Sequence, residues 1–310
     1  MFDIPQYCFQ SDSTCCRNTL AIVVLVYCGY QIQAFILNGH TCPHKQSVSS
    51  YLHYIGADYD ASGAYGVNDG QRDSAEVVED PYHSGCYVLK VNYAAGSHSR
   101  TDDRAKGAQF FITPKGYPTG ADDVTISYDV MFDRHFDFVK GGKLPGTWGK
   151  NTKCSGGRDA NHCISTRFMW RANGEGELYL YFPKGNQVPD FSHWEKNQHN
   201  VNIDTHGDYG VSFTNSHLVF RKSHWTNMKQ RVHLNSVRSS GHGNPDGWLA
   251  VWFDGASSPT FNITNVVLRK YSDVHVDGIF FSTFFGGHDS SWAPPHDTYT
   301  LYKNFHVEVN

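Results

Sequence analysis

The stretch Ile164-Ser165-Thr166-Arg167-Phe168-Met169-Trp170-Arg171, the turn Ala172-Asn173-Gly174-Glu175-Gly176 and the return Glu177-Leu178-Tyr179-Leu180-Tyr181-Phe182 decide the fold class. Two runs of strand-favouring residues flank a five-residue turn containing Asn-Gly, the pattern of an antiparallel hairpin. Setting Arg171 opposite Glu177 puts Met169 across from Tyr179, Arg167 across from Tyr181 and Ser165 across from Pro183. Side chains alternate along a strand, so Thr166, Phe168, Trp170, Leu178, Leu180 and Phe182 share one face. That face reads as core. Ser165, Arg167, Tyr179 and Tyr181 share the other, a platform of hydroxyls, phenols and a guanidinium.

Working outward, similar short runs recur at residues 87–93, 108–113, 124–132, 211–220, 231–237, 248–253, 264–270, 276–284 and 299–309. Turn signals such as Asp254-Gly255, Gly241-His242-Gly243 and Pro294-Pro295 separate them, and no helical period is sustained. Aromatics are abundant (20 Phe, 18 Tyr), glycine numbers 29 and methionine only 4. The chain therefore reads as all-β, an antiparallel β-sandwich of jelly-roll type.

The N-terminus reads as a targeting segment. Arg17 precedes an apolar run at residues 20–28, and Ile32-Gln33-Ala34 suits cleavage. The run is too short to span a bilayer, so residues 1–34 read as a secretory signal and the protein as secreted, with no membrane contact afterwards. Residues 35–75 are polar and lack a period; they read as a variable, loosely packed leader, and residues 76–310 as the β-jelly-roll domain. Beyond residue 34 four cysteines remain, an even number in an exported chain. Cys154 and Cys163 bracket a short Gly-rich loop that one bridge can close, which leaves Cys42 to pair with Cys86. No CxxC pair favours zinc, and His193, His199, His206, His217, His224 and His233 are scattered without HxH or HxxxH spacing, so no metal is expected. Asn262-Ile263-Thr264 is a glycosylation sequon at Asn262.

A formal charge of −4 gives no reason to expect nucleic-acid binding. Between Arg134 and Arg171, however, eight Lys/Arg face only Asp137 and Asp159, a local excess of six positive charges that suits a polyanion. Elimination along a uronate chain needs a cation to neutralise the sugar carboxylate, a base for the C5 proton and an acid for the departing O4. Arginine suits the first task, and tyrosine or a lysine of lowered pKa the others. Lys143 lies in Lys140-Gly-Gly-Lys-Leu-Pro-Gly146, where glycines are expected to let the backbone approach a ligand.

These residues carry a resemblance. Phe136-Asp-Phe-Val-Lys-Gly-Gly-Lys-Leu-Pro-Gly146, Cys154-Ser-Gly-Gly-Arg158, Ser165-Thr-Arg-Phe-Met-Trp-Arg171 and Gly176-Glu-Leu-Tyr-Leu-Tyr181 resemble the signature of polysaccharide lyase family 14. So do Asn244-Pro-Asp-Gly-Trp-Leu-Ala-Val-Trp-Phe-Asp-Gly255 and Phe281-Ser-Thr-Phe-Phe-Gly-Gly-His-Asp-Ser-Ser-Trp292. The resemblance implies a jelly-roll lyase acting on β-1,4-linked uronates of the alginate, polymannuronate type, with no cofactor. Its catalytic set would be Lys143, Ser165, Arg167, Tyr179 and Tyr181: Arg167 with Ser165 on the carboxylate, Lys143 and the tyrosines in proton transfer. Lys140, Arg158, Arg171 and His288 are expected to bind substrate around it, and the enzyme is expected to be a monomer. Glucuronan lyases are similar too, so polyglucuronate is the alternative substrate. A lectin of acidic glycans or an inherited-fold matrix protein would not require this set. A glycoside hydrolase would need a carboxylate pair, whereas Glu175 and Glu177 are expected at the turn.

Overall fold

A computed structural model describes residues 42–58, 63–67, 74–101, 103–206 and 209–310. The expected signal segment and part of the expected leader lie outside them. In chain order the elements are helix α1 (Val48–Tyr54), then β1 (Ala57–Asp58), β2 (Ala75–Asp80), β3 (His83–Tyr93), β4 (Ala108–Ile112) and β5 (Asp123–Phe132). Next come β6 (Gly141–Gly149), β7 (Ile164–Arg171), β8 (Glu175–Tyr181), helix α2 (Phe191–Lys196), β9 (Asn202–Thr205) and β10 (Val211–Val219). The chain closes with β11 (Thr226–His233), β12 (Gly247–Phe253), β13 (Phe261–Val266), β14 (Gly278–Phe285) and β15 (Thr298–Val309).

One antiparallel sheet runs β1-β4-β14-β6-β7-β8-β10-β9, the other β13-β12-β11-β5-β15-β3-β2. This is the jelly-roll sandwich expected. Alternate residues from the two sheets meet in one core: Phe168, Trp170, Leu178 and Leu180 from the first, Tyr128, Val130, Phe132 and Tyr302 from the second. Burying one face of each sheet is what fixes register, because a one-residue slip would turn these side chains to solvent.

The β7–β8 hairpin keeps the expected faces but not the expected register. Met169, not Arg171, stands opposite Glu177, which brings Arg167 opposite Tyr179 and Ser165 opposite Tyr181. Asn173 (φ 61°) and Gly174 (φ 83°) reverse the chain in left-handed backbone, so β7 runs to Arg171, β8 starts at Glu175 and only Ala172–Gly174 lies between them. The shift is two residues, so parity survives.

The stretch around Lys143 differs more. It is the strand β6 in the middle of the first sheet, between β14 and β7, and not a loop. Its glycines serve packing against protein. A Cβ on Gly142 would lie 2.1 Å from the Trp170 ring, and one on Gly146 would lie 2.1 Å from the Thr166 carbonyl oxygen. The register of β6 against β7 shifts between Lys143 and Gly146, a bulge that accommodates Pro145. Leu144 points into the core while Lys143 lies on the platform side with Met169.

The expected leader is part of the sandwich where it is described. Tyr51 and Leu52 of α1, with Ile55 and Val67, are buried in the same core. Both β1, which pairs with β4, and the Cys42–Cys86 disulfide fasten the segment down. Ser47 caps α1 by accepting from the Ser50 amide.

Candidate active site

The platform is built on β6, β7, β8, β10 and β14. Lys143, Met169 and Glu177 are successive cross-strand neighbours in one row, and Gly146, Arg167 and Tyr179 are neighbours in the next. Arg167 is only 2% exposed. Its guanidinium stacks over Phe280, 4.6 Å from the ring centroid, and Nη1 donates to Ser282 Oγ at 3.2 Å. The Nε is buried with no hydrogen-bond partner among the described residues. A buried, half-satisfied guanidinium held over an aromatic ring is a preorganised receptor for a carboxylate.

Lys143 is 9% exposed. Its Nζ lies 2.6 Å from Met169 Sδ and 3.2 Å from the centroid of the Tyr179 ring. Burial pushes the amine well below the ordinary lysine value, the charge of Arg167 pushes it further, Glu177 opposes and Arg171 adds a smaller lowering. The result is an amine that can stand neutral and accept a proton.

Tyr179 and Tyr181 meet edge to face with centroids 5.7 Å apart. The Gly210 amide donates to the Tyr179 hydroxyl (3.1 Å), and the Gly157 amide to the Tyr181 hydroxyl (3.0 Å). Burial, with Tyr181 next to it, raises the Tyr179 phenol far above its ordinary value, so it stays protonated.

Ser165 is fully buried and its hydroxyl donates to the Cys154 carbonyl at 2.7 Å. That bond ties the loop closed by the Cys154–Cys163 disulfide to the platform, and the same loop supplies the Gly157 amide. Arg171, expected to meet substrate, is forked onto Glu177: Nε to Oε2 at 2.8 Å and Nη2 to Oε1 at 2.7 Å. Lys140 is exposed; its Nζ donates to Ser291 Oγ at 2.7 Å beside Trp292. His288 is exposed and stacks on Tyr209, which precedes Gly210. Arg158 is exposed on the disulfide loop. Asn262 is exposed on β13, an edge strand of the second sheet, away from this platform.

Sequence reasoning overlooked several residues here. Glu177 is 3% exposed on the platform, not at the turn tip, and Ser212 also donates to its Oε1 at 3.1 Å. Because the Ser212 proton is directed at Glu177, His206 Nε2, 2.7 Å from Ser212 Oγ, serves as donor there. The His206 ring lies 5.8 Å from that of Tyr179. The alternation that placed Arg167 on the platform also places Met169 and Glu177 there, so parity alone would have found them. His206, Phe280 and Ser282 carry no local signal.

A family model and a search of solved structures point the same way. The family model described as polysaccharide lyase 14 matches residues 82–305. The crystal structure of a marine PL-14 alginate lyase from Aplysia kurodai is 32% identical, covering 88% of this chain and 98% of its own, with a TM-score of 0.69. Alginate lyase vAL-1 from a Chlorella virus matches at 20% identity over 76% of this chain and 89% of its own, TM-score 0.60. An endo-β-1,4-glucuronan lyase from Trichoderma reesei, 12% identical over 80% of this chain and 91% of its own, reaches a TM-score of 0.49, too distant to weigh on substrate. A comparison with curated proteins finds no match.

Proposed function

Because this chain belongs to polysaccharide lyase family 14 and is a polysaccharide lyase, we propose that it is a secreted enzyme that cleaves β-1,4-linked uronate polymers of the alginate, polymannuronate type by β-elimination. The observation that carries the proposal is the pairing of a buried guanidinium with an adjacent lysine amine held well below its ordinary pKa. Arg167 neutralises the carboxylate of the sugar to be deprotonated, which makes the C5 hydrogen acidic. Lys143 takes that proton as a neutral amine. The electron pair forms the C4=C5 double bond as the C4–O4 bond breaks, and Tyr179 gives its proton to O4. Tyr181 aligns Tyr179 and is itself held by the disulfide loop. The cycle closes when the proton on Lys143 returns to Tyr179, whose ring lies against the amine. Ser165 acts through the loop, and Arg171 through Glu177. Two disulfides and the N-terminal apolar run support export, and Asn262 is accessible to glycosylation on that route.

The test is the ultraviolet absorbance of the unsaturated uronate, followed on polymannuronate, polyguluronate and glucuronan with wild type and Lys143→Ala. Fastest release from polymannuronate, reduced about 10²- to 10⁴-fold in the variant, is expected. Undiminished turnover by Lys143→Ala would remove Lys143 from the chemistry, and preference for glucuronan would replace the substrate.

A further inference from the structure

Outside the platform, a cavity of about 640 Å³ opens where three connections meet. His162 comes from the β6–β7 connection, Val237, Arg238, Ser239 and Gly241 from β11–β12, and Tyr271, Ser272 and Asp273 from β13–β14. The His162 imidazole stacks on Tyr271 with centroids 4.5 Å apart and planes within 16°. Lys270 Nζ lies 5.3 Å from the same Tyr271 ring. Arg238 Nε donates to Asn244 Oδ1, which fixes the guanidinium, and its terminal nitrogens have no partner among the described residues. The one carboxylate of the lining, Asp273, is paired with Lys150 at 2.9 Å, so its charge is met within the protein. An aromatic wall beside an open arginine fork is the composition of a site for an acidic sugar.

The cavity is joined to the platform by a single loop. Residue 157 donates to the Tyr181 hydroxyl, residue 162 forms the cavity wall, and the chain from one to the other spans at most ~18 Å. The disulfide and the Ser165–Cys154 bond anchor both ends of that loop. The Tyr181 end of the platform and the cavity are thus bordered by the same short loop.

We propose that the cavity is a distal subsite that holds a further uronate of the chain, with its carboxylate on Arg238 and its ring against the His162–Tyr271 pair. The inference rests on the lyase reading, and its signature is dependence on chain length. Arg238→Ala and Tyr271→Ala should lower kcat/KM on the polymer that the wild type cleaves fastest by about tenfold, the effect of one lost charge-assisted contact. On the shortest oligouronate that the wild type cleaves, both variants should match it. An equal loss on short and long substrates would mean a merely structural role, and an unchanged rate on polymer would mean no subsite; either overturns the proposal. Equilibrium binding of long oligomannuronate, oligoguluronate and oligoglucuronate to Lys143→Ala, with and without Arg238→Ala, reads the subsite without turnover. Binding weakened about tenfold by Arg238→Ala supports it, and equal binding overturns it. Absence of any unsaturated product from the wild type would instead defeat the lyase reading alone.

Discussion

Replacing Glu177 by Gln removes one negative charge from the platform while keeping its shape, and the response of Lys143 can be worked out. Lys143, Met169 and Glu177 stand side by side on β6, β7 and β8, so the ends of the row are two interstrand spacings apart, ~9.6 Å. At an effective dielectric of about 20 a pair of unit charges at that distance interacts by ~1.7 kcal/mol, which corresponds to ~1.3 pH units. At present the carboxylate raises the pKa of Lys143 against burial, Arg167 and Arg171, all of which lower it. Losing it also leaves the charge of Arg171 uncompensated, which acts in the same direction. In the proposed mechanism Lys143 works as the neutral amine, so activity is lost as pH falls through its pKa; a lower pKa carries that loss to lower pH. The acid limb of the kcat profile, followed by product absorbance, should therefore move down by about one unit in Glu177→Gln, with a plateau no higher than wild type. Ser212→Ala breaks the hydrogen bond to Glu177 without changing charge and should leave the limb in place. If the limb of Glu177→Gln stayed put or moved up, Lys143 would not be the group that titrates.

Three further outcomes follow from the same geometry. The two disulfides should separate by what they control: opening Cys42–Cys86 (separation 44) should cost about 4 kcal/mol of stability and Cys154–Cys163 (separation 9) about 2.7 kcal/mol. Thermal denaturation should show the first loss as larger, while kcat should fall more for the second, which frees the Gly157 contact to Tyr181. Tyr179→Phe keeps the ring beside Lys143 but removes the proposed proton donor, so kcat should fall 10²- to 10⁴-fold with little change in denaturation midpoint; an unchanged kcat would assign the acid elsewhere. Gly142→Ala forces a methyl into the Trp170 indole, a core overpacking worth about 1–3 kcal/mol, which a chemical denaturation curve would register and which a site role for Gly142 would not require.

What was legible in the sequence was parity. Alternation in β7 and β8 separated core from platform correctly even though the turn was misjudged, because a two-residue slip leaves every side chain on its own face. Register was not legible, since it depends on how tightly Asn173 and Gly174 turn the chain. β6 was hidden because four glycines and a proline weaken any strand signal, while the reasons for Gly142 and Gly146, Trp170 and the Thr166 carbonyl, sit on another strand. α1 was hidden because seven residues carry too little period, and it is packing of Tyr51 and Leu52 that stabilises it. The involvement of His206 depends on where the β9–β10 connection returns to β8, a tertiary fact with no local trace.

The placement of β15 has a consequence for how the molecule comes into being. This strand lies between β5 and β3, pairing Tyr302 with both Val130 and Leu89, partners about 170 and 210 residues earlier in the chain. Until Val309 has been synthesised, the β2–β3 hairpin and the β5–β11–β12–β13 block each present an unpaired edge to the other, with nothing to join them. The second sheet thus cannot close until β15 has been made, and such long-range closure is slow. The nascent chain must keep two open edges from pairing with other chains in the meantime, which makes yield sensitive to crowding and to the pace of synthesis.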